Sequence, residues 1–299
     1  MRTRHALTAT AAAVATLALA ACTSASQSAE GGGSASFDAA TVAKDDAIAA
    51  LVPAAVAQDG KLTVGSDLTY APAEFVGADG KTPVGFDIEI ATAMARLMGL
   101  EADIQSSTFD AIIPGVGTRY EVGVSSFTVT PERLEAVDMV TYINAGSQFA
   151  VATGNPDAVD PDDLCGLTIG VQTGTTQQDE LEQTKTTCPA DKPLTLLPYE
   201  KQADVTTNLV GGKVQAMYAD SPVTAYAVGQ ADGKLELLGD IRDAAPEAVV
   251  VPHGDAEMAK AVRAALQKLM DDGTLTQILA GWGNEDSALS TSEISPQAD

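Results

Sequence analysis

The sequence predicts an α/β protein with mostly parallel strands, arranged as two lobes. Short apolar runs alternate with helix-period segments from Lys61 onward, which is the signature of strands joined by crossover helices. The 299 residues are 45% hydrophobic, enough to fill more than one core. No internal repeat competes with that reading.

Taken in order, residues 23–36, "TSASQSAEGGGSAS", are a Ser/Gly/Ala tether, and 41–57, "TVAKDDAIAALVPAAVA", predict a short helix interrupted near Pro53. "KLTVGSD" is a strand and its loop, and "FDIEIATAMARLMGLEA" an amphipathic helix stopped at Gly99. "ADIQSS", "FDAIIPGVGTR" and "EVGVSSF" follow as strand, short helix and strand. "GSQFAVATG" and "LTIGVQ" open what reads as a second unit, continued by the helix "KQADVTTNLVGG", the strand "VQAMYAD" and the helix "SPVTAYAVGQ". "EAVVVP" is a returning strand. "DAEMAKAVRAALQKLMDDG" is a helix capped by Asp255 and ended by Gly273, with "TLTQILAGWG" behind it. The tail after Asn284 is expected to be disordered.

The chain carries 41 acidic against 17 basic residues, a formal charge of -24, with no basic run. A nucleic-acid or anionic-lipid surface is therefore not expected. The first residues, "MRTRHALTATAAAVATLALAAC", combine Arg2 and Arg4, an apolar stretch too short for a stable span, and small residues before Cys22. "LAAC" looks like a bacterial lipobox, with residues 1–21 removed and Cys22 lipidated; the other reading is an ordinary secretory signal with an incidental cysteine. Two or three acyl chains suffice for stable anchoring. Export permits disulfides, so Cys165 and Cys188 read as one bridge, the alternative being two free thiols.

Catalytic chemistry finds little support. His253 is the one histidine beyond the leader, and its place in "VVVPHGDAE" is that of a solvent-facing loop residue. There is no HExxH, G-x-S-x-G, P-loop or CxxC, and no ligand cluster for zinc. No cofactor, metal or catalytic residue is expected.

The stretch "SSFTVTPER" raises a sharper question. Thr130 and Pro131 open a helix, which places Arg133 in its first turn, where the dipole disfavours a cation. Either an anion sits there too, gripped bidentately by the guanidinium, or Arg133 pairs with Glu132, Glu135 or another acid. "IGVQTGTTQ" offers a second strand–turn–helix junction with free N–H groups and hydroxyls. Asp220 closes the strand "VQAMYAD", where open α/β sheets bind ligands; it also fits a simple cap of the next helix. An Arg for a carboxylate and an Asp for an ammonium together describe an α-amino acid.

With those pieces in view, "LTVGSDLTYAPAEF", "VGFDIEIATAMARLMGL", "FDAIIPGV", "SSFTVTPER", "DDLCGLTIGVQTGTTQ", "GGKVQAMYADSPV" and "DDGTLTQILAGWG" occur in the order seen in family-3 solute-binding proteins. The chain resembles these extracytoplasmic receptors of polar amino acid ABC importers over roughly residues 60–285. The resemblance implies the two-lobed type II periplasmic-binding-protein fold with two hinge crossovers: residues 1–21 a lipoprotein signal peptide, 22–59 tether and short helix, 60–143 and 247–285 lobe 1, 146–244 lobe 2, and 286–299 a disordered tail.

It also implies roles. Arg133 resembles the arginine that holds the ligand α-carboxylate, helped by Thr128 and Thr176. Asp220 would take the α-ammonium with the Ser126 carbonyl and Thr128 hydroxyl. Tyr70 and Phe109 resemble the aromatic pair around the ligand side chain, and Asp67 and Ser125 sit where some members contact polar or cationic side chains. The cysteine pair resembles a variant found in lipid-anchored members. The sequence departs from the pattern at Ala73, where an aromatic is usual, at Glu121, where Asp is usual, and in "MVTYIN" before the hinge. The implied protein is a monomeric, non-enzymatic amino acid receptor, lipid-anchored at the outer face of the membrane and feeding an ABC permease. Asp67 and Glu74 tilt the expected ligand towards Arg, Lys or Gln ahead of Glu. A sensor subunit for a signalling partner and a cyclic-acid dehydratase are the alternative readings.

Overall fold

The computed structural model describes residues 37–297; the expected signal peptide, Cys22 and the expected tether through residue 36 lie outside the described residues. A 3-10 turn at Ala39–Thr41 precedes helix α1 (Asp46–Ala49), whose first N–H groups are satisfied by the Asp45 carboxylate. The helix expected over 41–57 is thus a single turn. Ile48 and Val52 fix it to the first core.

Strand β1 (Lys61–Ser66) leads into a small antiparallel sheet of β2 (Thr69–Tyr70), β3 (Glu74–Val76) and β4 (Pro83–Val84). Strands of two or three residues carry no legible period, and the sequence reading did not find them. Helix α2 (Phe86–Leu97) buries Phe86, Ile90, Met94 and Leu97, the i, i+4 stripe that the sequence displays. It starts at Gly85, with φ +127°, where a Cβ would stand 2.2 Å from the Ala73 carbonyl oxygen. Then come β5 (Glu101–Ser106), α3 (Phe109–Gly115), β6 (Val122–Thr128), α4 (Pro131–Ala136) and β7 (Val137–Ala152). The second half contains β8 (Thr168–Gln172), α5 (Thr176–Thr187), β9 (Thr195–Tyr199), α6 (Gln202–Val210), β10 (Ala216–Asp220) and α7 (Ser221–Gln230). The chain returns through β11 (Leu235–Pro252) to α8 (Ala256–Asp271) and α9 (Thr274–Gly281).

Eight strands hydrogen-bond in the order β5-β1-β6-β11-β7-β10-β8-β9. β1 runs parallel to β5 and β6, and β8 parallel to β9 and β10. β7 and β11 are long antiparallel strands that belong to both halves: Val137–Thr141 pairs with Ala248–Pro252, and Phe149–Ala152 with Leu235–Leu238. Between these ends β11 shifts register at Leu238/Arg242, Arg242/Ala245 and Glu247/Ala248, which bends the ribbon where the halves meet. The sequence reading placed a strand at "EAVVVP" alone; the polar run in the middle of β11 hides a continuous strand.

One core packs α2, α8 and α9 on β1 and β11 through Leu62, Val64, Met94, Val249, Leu266 and Ile278. The second half is filled by Phe149, Val171, Leu181 and Tyr218, with Phe149 stacked on Tyr218 at 4.0 Å between ring centres. A disulfide joins Cys165, ahead of β8, to Cys188 at the end of α5.

The tail corrects an expectation. Residues 286–297 are not disordered: Thr141 N–H donates to the Glu293 carbonyl, Ser295 N–H to the Met139 carbonyl, and Ser292 Oγ to the Thr141 carbonyl. In the first half β7 has β11 on one side only, so the tail covers an edge that would otherwise be unpaired. Its composition gave no sign of this, because the bonds are to backbone.

Candidate functional site

Arg133 stands at the junction of β6 and α4. Thr130 caps that helix, its hydroxyl accepting from Arg133 N–H at 3.2 Å. The guanidinium lies over the rings of Phe109 and Phe127, 5.4 and 5.7 Å from their centres. Nη1 donates to the Thr128 carbonyl at 2.8 Å, and Nη2 reaches the Gly174 carbonyl in the other half at 3.2 Å. Among the described residues no carboxylate forms a salt bridge with it, so pairing with Glu132 or Glu135 is not its structural role. With α4 only six residues long, the dipole adds little, and what this junction offers an anion is the guanidinium itself, a planar donor fork.

Asp220 faces it from the end of β10. Its side chain does not cap α7; Oδ2 accepts from Tyr70 Oη at 2.7 Å and Oδ1 from Gln177 Nε2 at 2.8 Å. Burial pushes its carboxyl pKa up, while Tyr70, Gln177 and the Arg133 charge pull it back down.

Tyr70, Phe109, Ser126, Thr128, Arg133, Thr176 and Asp220 all line one enclosed space, together with Gln172, Thr175 and Gln177. Asp67 and Ser125 do not. Asp67 accepts from Thr69 Oγ1 at 2.8 Å and Gln172 Nε2 at 2.5 Å, and Ser125 Oγ donates to Glu74 at 2.6 Å while accepting from Asp67 N–H. Glu74 likewise turns inward. It belongs with Asp87, whose carboxylate accepts from Tyr142 Oη at 2.6 Å and Ser126 N–H at 2.8 Å. The cationic preference that the sequence attached to Asp67 and Glu74 therefore does not rest on those two acids. Burial raises the Asp67 and Glu74 carboxyls above the ordinary range, with Asp87 adding to the rise at Glu74. Glu121 binds Thr63 at the opposite end of β6 from Thr128, and His253 is exposed 3.4 Å from Asp138.

Gln172, Thr175 and Gln177 were missed by sequence reasoning. They flank the "QTGTTQ" turn, where Gly174, with φ +80°, lets the chain pass close to Asp110. Thr175, rather than Thr176, caps α5.

The enclosed space measures about 10 Å³, room for about one water. An amino acid therefore enters only when the two halves separate. Thr128, Thr176 and Asp220 also line an adjoining cleft of about 630 Å³ that carries Glu132, Asp179, Glu180 and Asp243 and no Lys or Arg. A separate groove of about 350 Å³ beside α6 and α7 has neither an acid nor a basic side chain in its lining and offers nothing to a zwitterion.

Residues 62–285 match the sequence model of the bacterial extracellular solute-binding proteins, family 3. The chain belongs to this family. As a family-3 solute-binding protein it is 38% identical to the arginine-binding protein ArgT of Corynebacterium glutamicum, over 84% of this chain and 83% of that one. It is 28% identical to the L-cystine-binding protein TcyJ of Escherichia coli K12, over 77% and 85%. Among solved structures, an ancestral arginine-binding protein bound to arginine superposes with a TM-score of 0.70 at 28% identity, covering 75% of this chain and 98% of the other. The α/β architecture is thus that of the two-lobed binding proteins. Among the described residues no helix is long and apolar enough to cross a membrane.

Proposed function

We propose that this family-3 protein is the receptor subunit of an amino acid ABC importer, closing on its ligand and handing it to the permease. Lobe 1, residues 60–143 and 247–285, would close on lobe 2, residues 146–244. The observation that carries the reading is the pair Arg133 and Asp220, set on opposite halves and lining one enclosed space, with no salt bridge at the guanidinium among the described residues. A zwitterion bridging them gives the closed state a binding energy that the open state lacks, which is what shifts such an equilibrium. Buried charge-assisted bonds contribute roughly 1.5–3 kcal/mol each, consistent with tight binding from few contacts.

The ligand we infer is polar or cationic, arginine first, then lysine or glutamine. Support comes from the acid-lined cleft beside the clamp, which concentrates cations, and from relatives named for arginine. Maturation at Cys22, a lipid anchor on the outer face of the membrane and a monomeric state complete the proposal. A thermal-shift panel of the twenty amino acids tests it. Arginine, lysine or glutamine should stabilise most; stabilisation by glutamate alone overturns the ligand preference, and no shift with any amino acid overturns the receptor.

A further inference from the structure

One buried carboxyl group beside Asp220 and Arg133 is not accounted for by the clamp. Glu247 lies at a register shift of β11, paired with Thr128 of β6 on one side and Ile143 of β7 on the other. Residues directly opposite in an antiparallel pair project to the same face of the sheet. Glu247 therefore shares the face of Thr128, which lines the space between Arg133 and Asp220. The residue is 1% exposed, and Oε1 has no hydrogen-bond partner among the described residues.

The groups around it come from every neighbouring element. Asp220 ends β10, Asp87 belongs to α2, Arg133 to α4 and Ser126 to β6; Tyr70 of β2 and Tyr142 of β7 feel its charge as well. Glu74 of β3 stands one step further, against Asp87. Asp220 and Asp87 each accept from two donors, Tyr70 with Gln177 and Tyr142 with Ser126 N–H. Among the described hydrogen bonds none is donated to Glu247 Oε1. Burial, with Asp220 and Asp87 close by, drives its pKa well above the ordinary carboxylate range. A neutral Glu247 is a donor, and the carboxylate beside it is Asp220.

Building on the receptor reading, we propose that Glu247 is a second acid of the ammonium site, protonated against Asp220 without ligand and deprotonated when an amino acid binds. The O–H bond of Glu247 breaks, its electron pair stays on the carboxylate, and the proton leaves to solvent. The arriving ammonium keeps its three protons and donates to both carboxylates. One cation enters the ammonium site and one leaves it, so the charge at that site does not change. Affinity then rises with pH, by about tenfold per unit where a full proton is released, until Glu247 is ionised in the ligand-free protein too.

Titration calorimetry with L-arginine, and with L-glutamine as second probe, in phosphate and in Tris near pH 7, reads the proton directly. The expected result is a buffer-dependent enthalpy equivalent to about half to one proton released, equal for both probes because they share the ammonium. Glu247→Gln should abolish the buffer dependence, and Glu74→Gln should retain it. Wild-type binding with no buffer dependence overturns the proposal, as does a Glu247→Gln protein that releases as many protons as wild type. If Glu247→Gln does not fold, the wild-type slope of log affinity against pH decides, and a flat slope overturns it. Failure of every amino acid to bind would instead remove the receptor reading, and this inference with it.

Discussion

The phenol of Tyr70 donates to Asp220 Oδ2 at 2.7 Å, joining β2 to the end of β10 across 150 residues of chain. Gln172 to Asp67 and Arg133 to the Gly174 carbonyl make two further bonds between the halves. Without ligand, the clamp groups are thus satisfied largely by one another. A ligand must replace these bonds rather than fill a prepared void, and its net affinity is the difference between the two sets.

Tyr70→Phe should destabilise the ligand-free protein. It removes a buried donor from Asp220 and leaves that oxygen short of a partner, at a cost of about 1–3 kcal/mol. Urea unfolding without ligand measures this; an unchanged midpoint would show that the latch contributes nothing.

Arg133→Ala and Asp220→Ala should each weaken amino acid binding at least about tenfold, the loss of one charge-assisted contact. Arg133→Lys should also lose affinity, since an ammonium cannot present the planar fork. Calorimetry decides: near wild-type affinity in both alanine variants rejects the clamp.

Replacing Cys165 and Cys188 together by Ser opens a loop with a sequence separation of 23 residues. Loop-closure entropy then predicts a loss on the order of 3 kcal/mol in unfolding free energy. The bridge lies outside the lining of the clamp, so arginine affinity should hold. A stability loss accompanied by lost binding would contradict the separation of the two roles.

Burial pushes the Glu89 carboxyl up to about 7, while Trp282 Nε1 donates to Oε1 at 3.3 Å and Oε2 has no partner. The folded state holds this proton more tightly than the unfolded chain, whose Glu titrates near ~4.3. Its contribution is therefore fully present below about pH 4 and lost as pH rises towards 7. Glu89→Gln, which cannot ionise, should be more stable than wild type by about 1 kcal/mol at pH 8, allowing for solvent screening, and equal to it at pH 4. Urea unfolding at the two pH values tests the sign.

Truncation after Asn284 should lower stability by about 1–3 kcal/mol, because Thr141 and Met139 lose partners on the β7 edge. Increased self-association would accompany it, read by light scattering.

Much of this protein is written locally. The α2 stripe Phe86, Ile90, Met94, Leu97 and the Asp255 cap of α8 follow from periodicity and side-chain chemistry alone. So does the setting of Arg133 behind Thr130 and Pro131, and of Asp220 at a strand end, because these depend on residues within one turn or one strand. Family membership was legible too, through the order of motifs each too common to convince by itself.

Tertiary structure decided what depends on which side chains face one another across distant elements. Asp67 and Glu74 look like pocket acids in a row of letters, yet in the fold they accept from Gln172 and Ser125 instead. Gln177 and Glu247 gave no local signal, since a buried amide or acid gains its meaning from partners on other elements of the fold. The tail is ordered largely by bonds to backbone groups of β7, which every residue carries and no composition can distinguish. Local propensity is a property of a few consecutive residues; a binding site is a property of the packing that brings separate segments within hydrogen-bond reach.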